Sequence, residues 1–275
     1  MPQADIPYII GVIREKEKEL LEDDEYVRVI DAPTMKEAYH ALADTPYGIH
    51  LAQHPDPSRA LPGRLLTEYD WLKEMLGDSH PIITFISAPY DALHLASALL
   101  DLPQTTHFGS GEKRLGTMSD ELLTTTLWHD TAFDSIPEEW REFLKESRSK
   151  SKRMKTEIIE SVQAQLIHVM QNLATTPLTQ KLTELYAKRI AEETSIRPDN
   201  LPEDLSKYEL QHDKVVLDAV RPWRADPINS DAIIAWWYAL AVEVKTLRLL
   251  LSAKASGFAP EHLRTLTRPV YLQTV

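Results

Sequence analysis

An all-α fold is expected from three features of this sequence. Apolar residues recur at helical spacing along most of the chain, and no run of alternating β-branched residues lies between turn signals. Glycine is also scarce, at 8 of 275 residues. The stretch "FGSGEKR" (Phe108 to Arg114) lacks the spacing to a Lys-Ser/Thr pair that a phosphate-binding loop requires, so it reads as a turn.

The first helical face carries Ile6, Ile9, Ile10, Ile13, Leu20 and Leu21, with charges between them. Thr34 to Glu37 has capping-box spacing and opens a second helix that must stop before Pro46. A third helix is expected from about Leu65 to Leu76, with Gly77 as its stop. Ile82 to Ile86 could form a short strand, which Pro89 breaks before a helix from Asp91 to Leu100. Ser119 is an expected N-cap for "DELL", and Pro137 introduces the longest helical pattern, which continues to Leu173. Two more helices follow at Leu178 to Ile190 and Leu210 to Val220, with Pro198, Pro202, Pro222 and Pro227 marking loops.

The most apolar stretch is "WWYALAVEVKTLRLLLSAKASG", Trp236 to Gly257. Trp237, Leu240, Val244, Leu247 and Leu251 form a narrow seam, and Ala239, Trp236 and Leu250 widen it, so a mostly buried helix is expected. Gly257 ends it and Pro260 bars continuation. The longest uncharged run there, Ala232 to Val242, is well short of the ~20 residues a bilayer span needs. Hence no transmembrane segment is expected.

Composition narrows the function. Hydrophobic residues at 43% and charged residues at 26% are ordinary for a globular protein. A formal net charge of −12 argues against nucleic acid as a partner. Without cysteine there is no disulfide framework or thiolate metal site, which fits a reducing compartment. No signal peptide is read at the N-terminus.

Two histidine patterns suggest metal chemistry. His50 and His54 are four apart with Asp56 beyond, but the glutamate of a zinc protease motif is missing and "PDP" follows, so a solvated loop is expected. The His-Asp pair at His129 and Asp130, after Trp128, occurs in metal-dependent phosphohydrolases, but that chemistry needs further histidines and a distal Asp in helical register, for which His94 and His168 are candidates by count alone, so no metal site is expected. One basic run, "RSKSKRMK", stands out in an acidic chain. It reads as a solvated face, or as a contact through Lys150, Lys152, Arg153 and Lys155 to lipid headgroups or acidic protein loops.

A faint internal repeat sets Asp91 on Glu243, Leu95 on Leu247 and Leu99 on Leu251, and Gly116 and Leu122 have the separation of Gly257 and Leu263. The segment "AVEVKTLRLLLSAKASGFAPEHLR" resembles the C-terminal signature of the C/d-type rotor subunits of A/V-type ATPases, a family shared by prokaryotic and vacuolar enzymes. Glu243, Leu247, Arg248, Lys254, Gly257, Glu261 and Arg264 carry it. The N-terminal block, containing Arg14 and ending in Thr45 and Tyr47, resembles that family too. So does the element with Asp91 and Leu95, although His94 stands at an Asn position and Ala96 where a lysine often follows. The likeness is poor from about Leu127 to Leu210.

The resemblance implies helical lobes related by repeat with a reduced middle lobe, here 1–126, 127–208 and 209–275. It also implies a non-catalytic rotor subunit on the cytoplasmic face of the membrane, between a central stalk and a proteolipid ring, without cofactor or metal. Glu243 and Arg248 are five apart and do not share a stripe, so they are expected to be internal ties, with Arg14 or Asp91 as partners. A helical adaptor unrelated to any rotor is the competing reading.

Overall fold

A computed structural model describes residues 5–54, 56–100, 115–129, 133–149, 155–195 and 205–271. These form helices and connecting turns, with no strand among the described residues.

The N-terminal part packs short helices. α1 (Ile6–Glu17) buries Ile9, Ile10 and Ile13. α2 (Asp23–Asp31) starts at a reciprocal capping box between Glu22 and Glu25, and α3 (Met35–Ala41) starts where Thr34 accepts the Glu37 N–H. α4 (Gly48–Gln53) and the single turn α5 (Pro57–Ala60) lead into α6 (Pro62–Leu76), after which Gly77 adopts a φ of 89°.

α7 (Pro81–Leu99) is one continuous helix, which corrects the expected break at Pro89 and strand at Ile82 to Ile86. Proline removes only its own N–H, the bond that would reach the Phe85 carbonyl. The face containing Ile82, Ile83, Phe85, Ile86, Ala92 and Leu95 is buried, so packing outweighs that loss. By length and composition α7 could cross a membrane; half of its apolar stretch is buried within the protein.

α8 (Asp120–His129) is capped by Ser119, whose hydroxyl accepts the Leu122 N–H at 3.1 Å. The long pattern from Pro137 proves to be two helices, α9 (Glu138–Ser149) and α10 (Lys155–Leu173), rather than one. Gln165 of α10 donates to the Glu139 carbonyl of α9 at 2.7 Å across 26 residues. A continuous helix would hold those residues about 39 Å apart. α10 instead folds back, packing on α7 and on α11 (Pro177–Ser195).

α12 (Leu205–Val220) and a 3-10 turn (Arg221–Ala225) precede α13 (Asp231–Ala255), the axis of the molecule. α13 touches α1, α2, α3, α5, α6, α7, α12 and the final short helix α14 (Pro260–Thr265). Trp237, Leu240, Val244, Leu247 and Leu251 are all buried, as are Trp236, Ala239 and Leu250. Gly257, with a φ of 82°, lets the chain leave α13 in a left-handed conformation, and Pro260 begins α14.

Leu247 is fully buried on this axis, whereas Ile228 is 72% exposed. Leu247→Ala is expected to cost ~2–5 kcal/mol in urea unfolding, against about 0.5 kcal/mol or less for Ile228→Ala. Equal effects of the two substitutions would contradict the central position of α13.

Candidate functional site

The polar residues of interest lie where α13 meets the first third of the chain. Glu243 projects from the apolar helix and is 7% exposed. One carboxylate oxygen accepts the Leu21 N–H at 2.7 Å, and the other accepts the Tyr47 hydroxyl at 2.7 Å. Leu21 lies in the link between α1 and α2, and Tyr47 lies at the start of α4, so one side chain fixes both connections. Tyr26 is buried, and burial together with the Glu243 charge raises its hydroxyl well above the usual range.

The expected pairing of Glu243 with Arg14 is not made. Arg14 Nη1 donates to both Glu17 carboxylate oxygens and Nη2 donates to the Asp226 carbonyl at 2.7 Å, tying α1 to the loop before α13. Glu243 therefore sits among neutral donors, and burial raises its pKa to about 7 against the pull of those two hydrogen bonds.

Asp91 is the corresponding acid of α7. It accepts the Thr117 N–H, the Thr117 hydroxyl and the Met118 N–H at 2.7, 2.7 and 3.0 Å. Gly116, with a φ of 112°, makes this possible, because a β-carbon there would stand 2.7 Å from an Asp91 oxygen. Burial raises Asp91 to about 6, again opposed by its hydrogen bonds. The two acids thus share one role, each a buried carboxylate on a core helix that binds backbone N–H of a connecting segment. Leu95, next along α7, is fully buried.

The remaining signature residues are spread along the structure. Lys254 donates to the Ile30 carbonyl in the last turn of α2 at 2.8 Å, and Arg264 of α14 pairs with Asp31. Arg248 lies on another face, half-buried, with burial lowering its pKa and the Asp56 charge opposing that. Glu261 is exposed in the first turn of α14.

Some ties had no sequence signal. Glu68 is buried between Lys16 at 2.8 Å and Arg64 at 3.0 Å, and Arg64 also reaches Glu19. Asp213 of α12 binds Lys245 of α13 at 3.0 Å and Arg268 at 2.9 Å. Burial pushes Asp213 up, but the surrounding His212, Lys245 and Arg268 together hold it down at about 2. These partners are distant in sequence, so no local spacing could pair them.

The histidine patterns behave differently from expectation. The stretch around His50 is not a loop: α4 runs through it, and the His50 ring packs beside Gly63. His54 ends α4, and Asp56 caps α5 by accepting the Ser58 N–H. His168 is exposed and pairs with Asn172. Among the described residues no group of three or more His, Asp or Glu side chains is placed to hold a metal. Asp130 and the glycine pair of "FGSGEKR" lie outside the described residues, as do Lys150, Lys152 and Arg153; Lys155 is exposed at the start of α10.

On its other side α13 borders a cavity of about 620 Å³, lined also by α7, α10, α11 and α12. No protein-family model matches the chain, and no curated protein matches it.

The raised pKa of Glu243 gives stability a definite slope. The folded state favours the neutral acid, so this contribution is complete below about pH 4.5 and lost as pH rises through about 7. Asp91 adds the same sign up to about pH 6. The urea midpoint should fall between pH 5 and pH 8, with Glu243 supplying up to ~3 kcal/mol. Glu243→Gln, which mimics the neutral acid, should flatten that slope; an unchanged slope would show that burial does not disfavour the carboxylate.

Proposed function

We propose that the chain is a non-catalytic central-rotor subunit of a V/A-type ATPase, joining the central stalk to the membrane proteolipid ring during rotary ion transport. One observation carries the reading. The two sequence blocks that resemble the C/d-type rotor family, one ending at Tyr47 and the other holding Glu243, meet in a buried hydrogen bond 196 residues apart in the chain. Residues singled out by resemblance alone are thus partners in one structural element. Lys254 adds a second tie between the same blocks.

The mechanical requirement agrees. A part that transmits torque needs a body that does not yield, and close packing around a fully engaged axis supplies stiffness. α13 is buried along most of its length and is pinned by side chains to both ends of α2: Glu243 holds Leu21 just ahead of it, and Lys254 holds Ile30 in its last turn. The acids Asp91 and Glu243, equivalent in the repeat, do similar work, which supports reading the chain as related helical lobes with a reduced middle one. In this role the chain sits peripherally on the cytoplasmic face, and the basic run that includes Lys155 is the segment suited to ring or headgroup contact.

A tagged chain recovered from membranes in mild detergent should bring down the proteolipid ring and central-stalk proteins in stoichiometric amounts, identified by mass spectrometry. Recovery of neither from membranes shown to hold an intact ATPase would overturn the rotor role and leave a helical adaptor.

A further inference from the structure

The cavity beside α13 has a two-sided character. Its volume of about 620 Å³ falls in the range of small-molecule sites. One part of its wall is aromatic: Tyr90 meets Trp237 edge-on at 6.5 Å, and Tyr186 meets Tyr238 in the same way at 6.4 Å. These edge-on pairs give that part of the cavity a continuous apolar wall, against which a flat apolar group can lie.

The other part is cationic. Arg189, Lys245, Arg248 and Arg268 line it, against the carboxylates of Glu209 and Asp213. Cations thus outnumber carboxylates two to one among the described lining residues, in a chain whose net charge is −12. Concave, low-dielectric walls concentrate such a local excess. Asp213 is itself engaged by Lys245 and Arg268, which holds both cations at the wall in fixed positions.

His212 stands beside Asp213 at 4.0 Å and helps hold that carboxylate charged at the cavity wall.

We propose that this cavity binds a small organic anion with an aromatic body and a single anionic head. The body lies against Tyr90, Trp237 and Tyr238, and the head lies at Lys245 and Arg248. The site does not depend on the rotor reading, since a purified chain presents it without stalk or ring.

The test is calorimetric titration of the purified full chain with 2-naphthyl phosphate and, in parallel, with neutral 2-naphthol. A single site is expected, with the phosphate at least about ten-fold tighter than the alcohol, because charge-assisted hydrogen bonds are read only by the former. Arg248→Gln should weaken the phosphate about ten-fold. Ala241→Trp, which fills the cavity from α13, should abolish binding, and Leu93→Trp at its more exposed rim gives a milder block in case the first variant fails to fold. No saturable binding of naphthyl phosphate to the wild-type chain would overturn the proposal. So would equal affinity for the alcohol, or binding undiminished in a correctly folded tryptophan variant.

Discussion

A buried carboxylate held by neutral hydrogen-bond donors is the constraint on which the structure turns. Glu243 lies in the middle of the most apolar helix and is satisfied by two donors brought from the far end of the chain. Burying an acid in this way is costly unless both oxygens are engaged. The α1–α2 link must therefore present Leu21 N–H, and the start of α4 must present the Tyr47 hydroxyl, at the same place. Any packing of the N-terminal helices that shifts either donor leaves a buried acid under-satisfied. Apolar contacts alone would tolerate many arrangements of α1 to α4 on α13; the carboxylate selects among them.

Similar polar ties recur around the same helix. Arg14 fastens α1 to the loop before α13, Lys254 reaches the end of α2, and Asp213 joins α12 through Lys245. Buried ion pairs add little net stability over well-packed apolar residues, because desolvation offsets most of their attraction. Their effect lies in position, since each fixes the register of a neighbour against α13. The result is a body in which the N-terminal helices and the last helices meet on one axis.

The sequence made helix type and burial legible, but partners much less so. The seam from Trp237 to Leu251 could be read because its period is that of a buried helix, and Thr34, Ser119 and Gly257 marked ends through local chemistry that needs no distant residue. Pro89 misled because the cost of a missing N–H is local, while the packing of α7 on α10 that outweighs it is not. The continuous pattern from Pro137 hid a reversal for the same reason: both arms keep helical periodicity, and the packing of α9 on α10, with the Gln165 contact to Glu139, shows that they lie side by side. Glu243 was readable as an internal tie but not as a partner of Tyr47, because a neutral hydroxyl leaves no charge pattern to match. The cavity was illegible altogether, since side chains from α6, α7, α10, α11, α12 and α13 build it together.

The coupling between Tyr47 and Glu243 is the most direct measure of this arrangement. A double-mutant cycle with Tyr47→Phe and Glu243→Leu, read by urea unfolding at pH 8 where the carboxylate is charged, removes the hydroxyl and its acceptor in turn and so isolates the pair from the effect of each residue alone. A coupling of about 1.5–3 kcal/mol is expected for a buried hydrogen bond to a charged group. Additive effects within about 0.3 kcal/mol would show that the two ends of the chain are not joined through this contact.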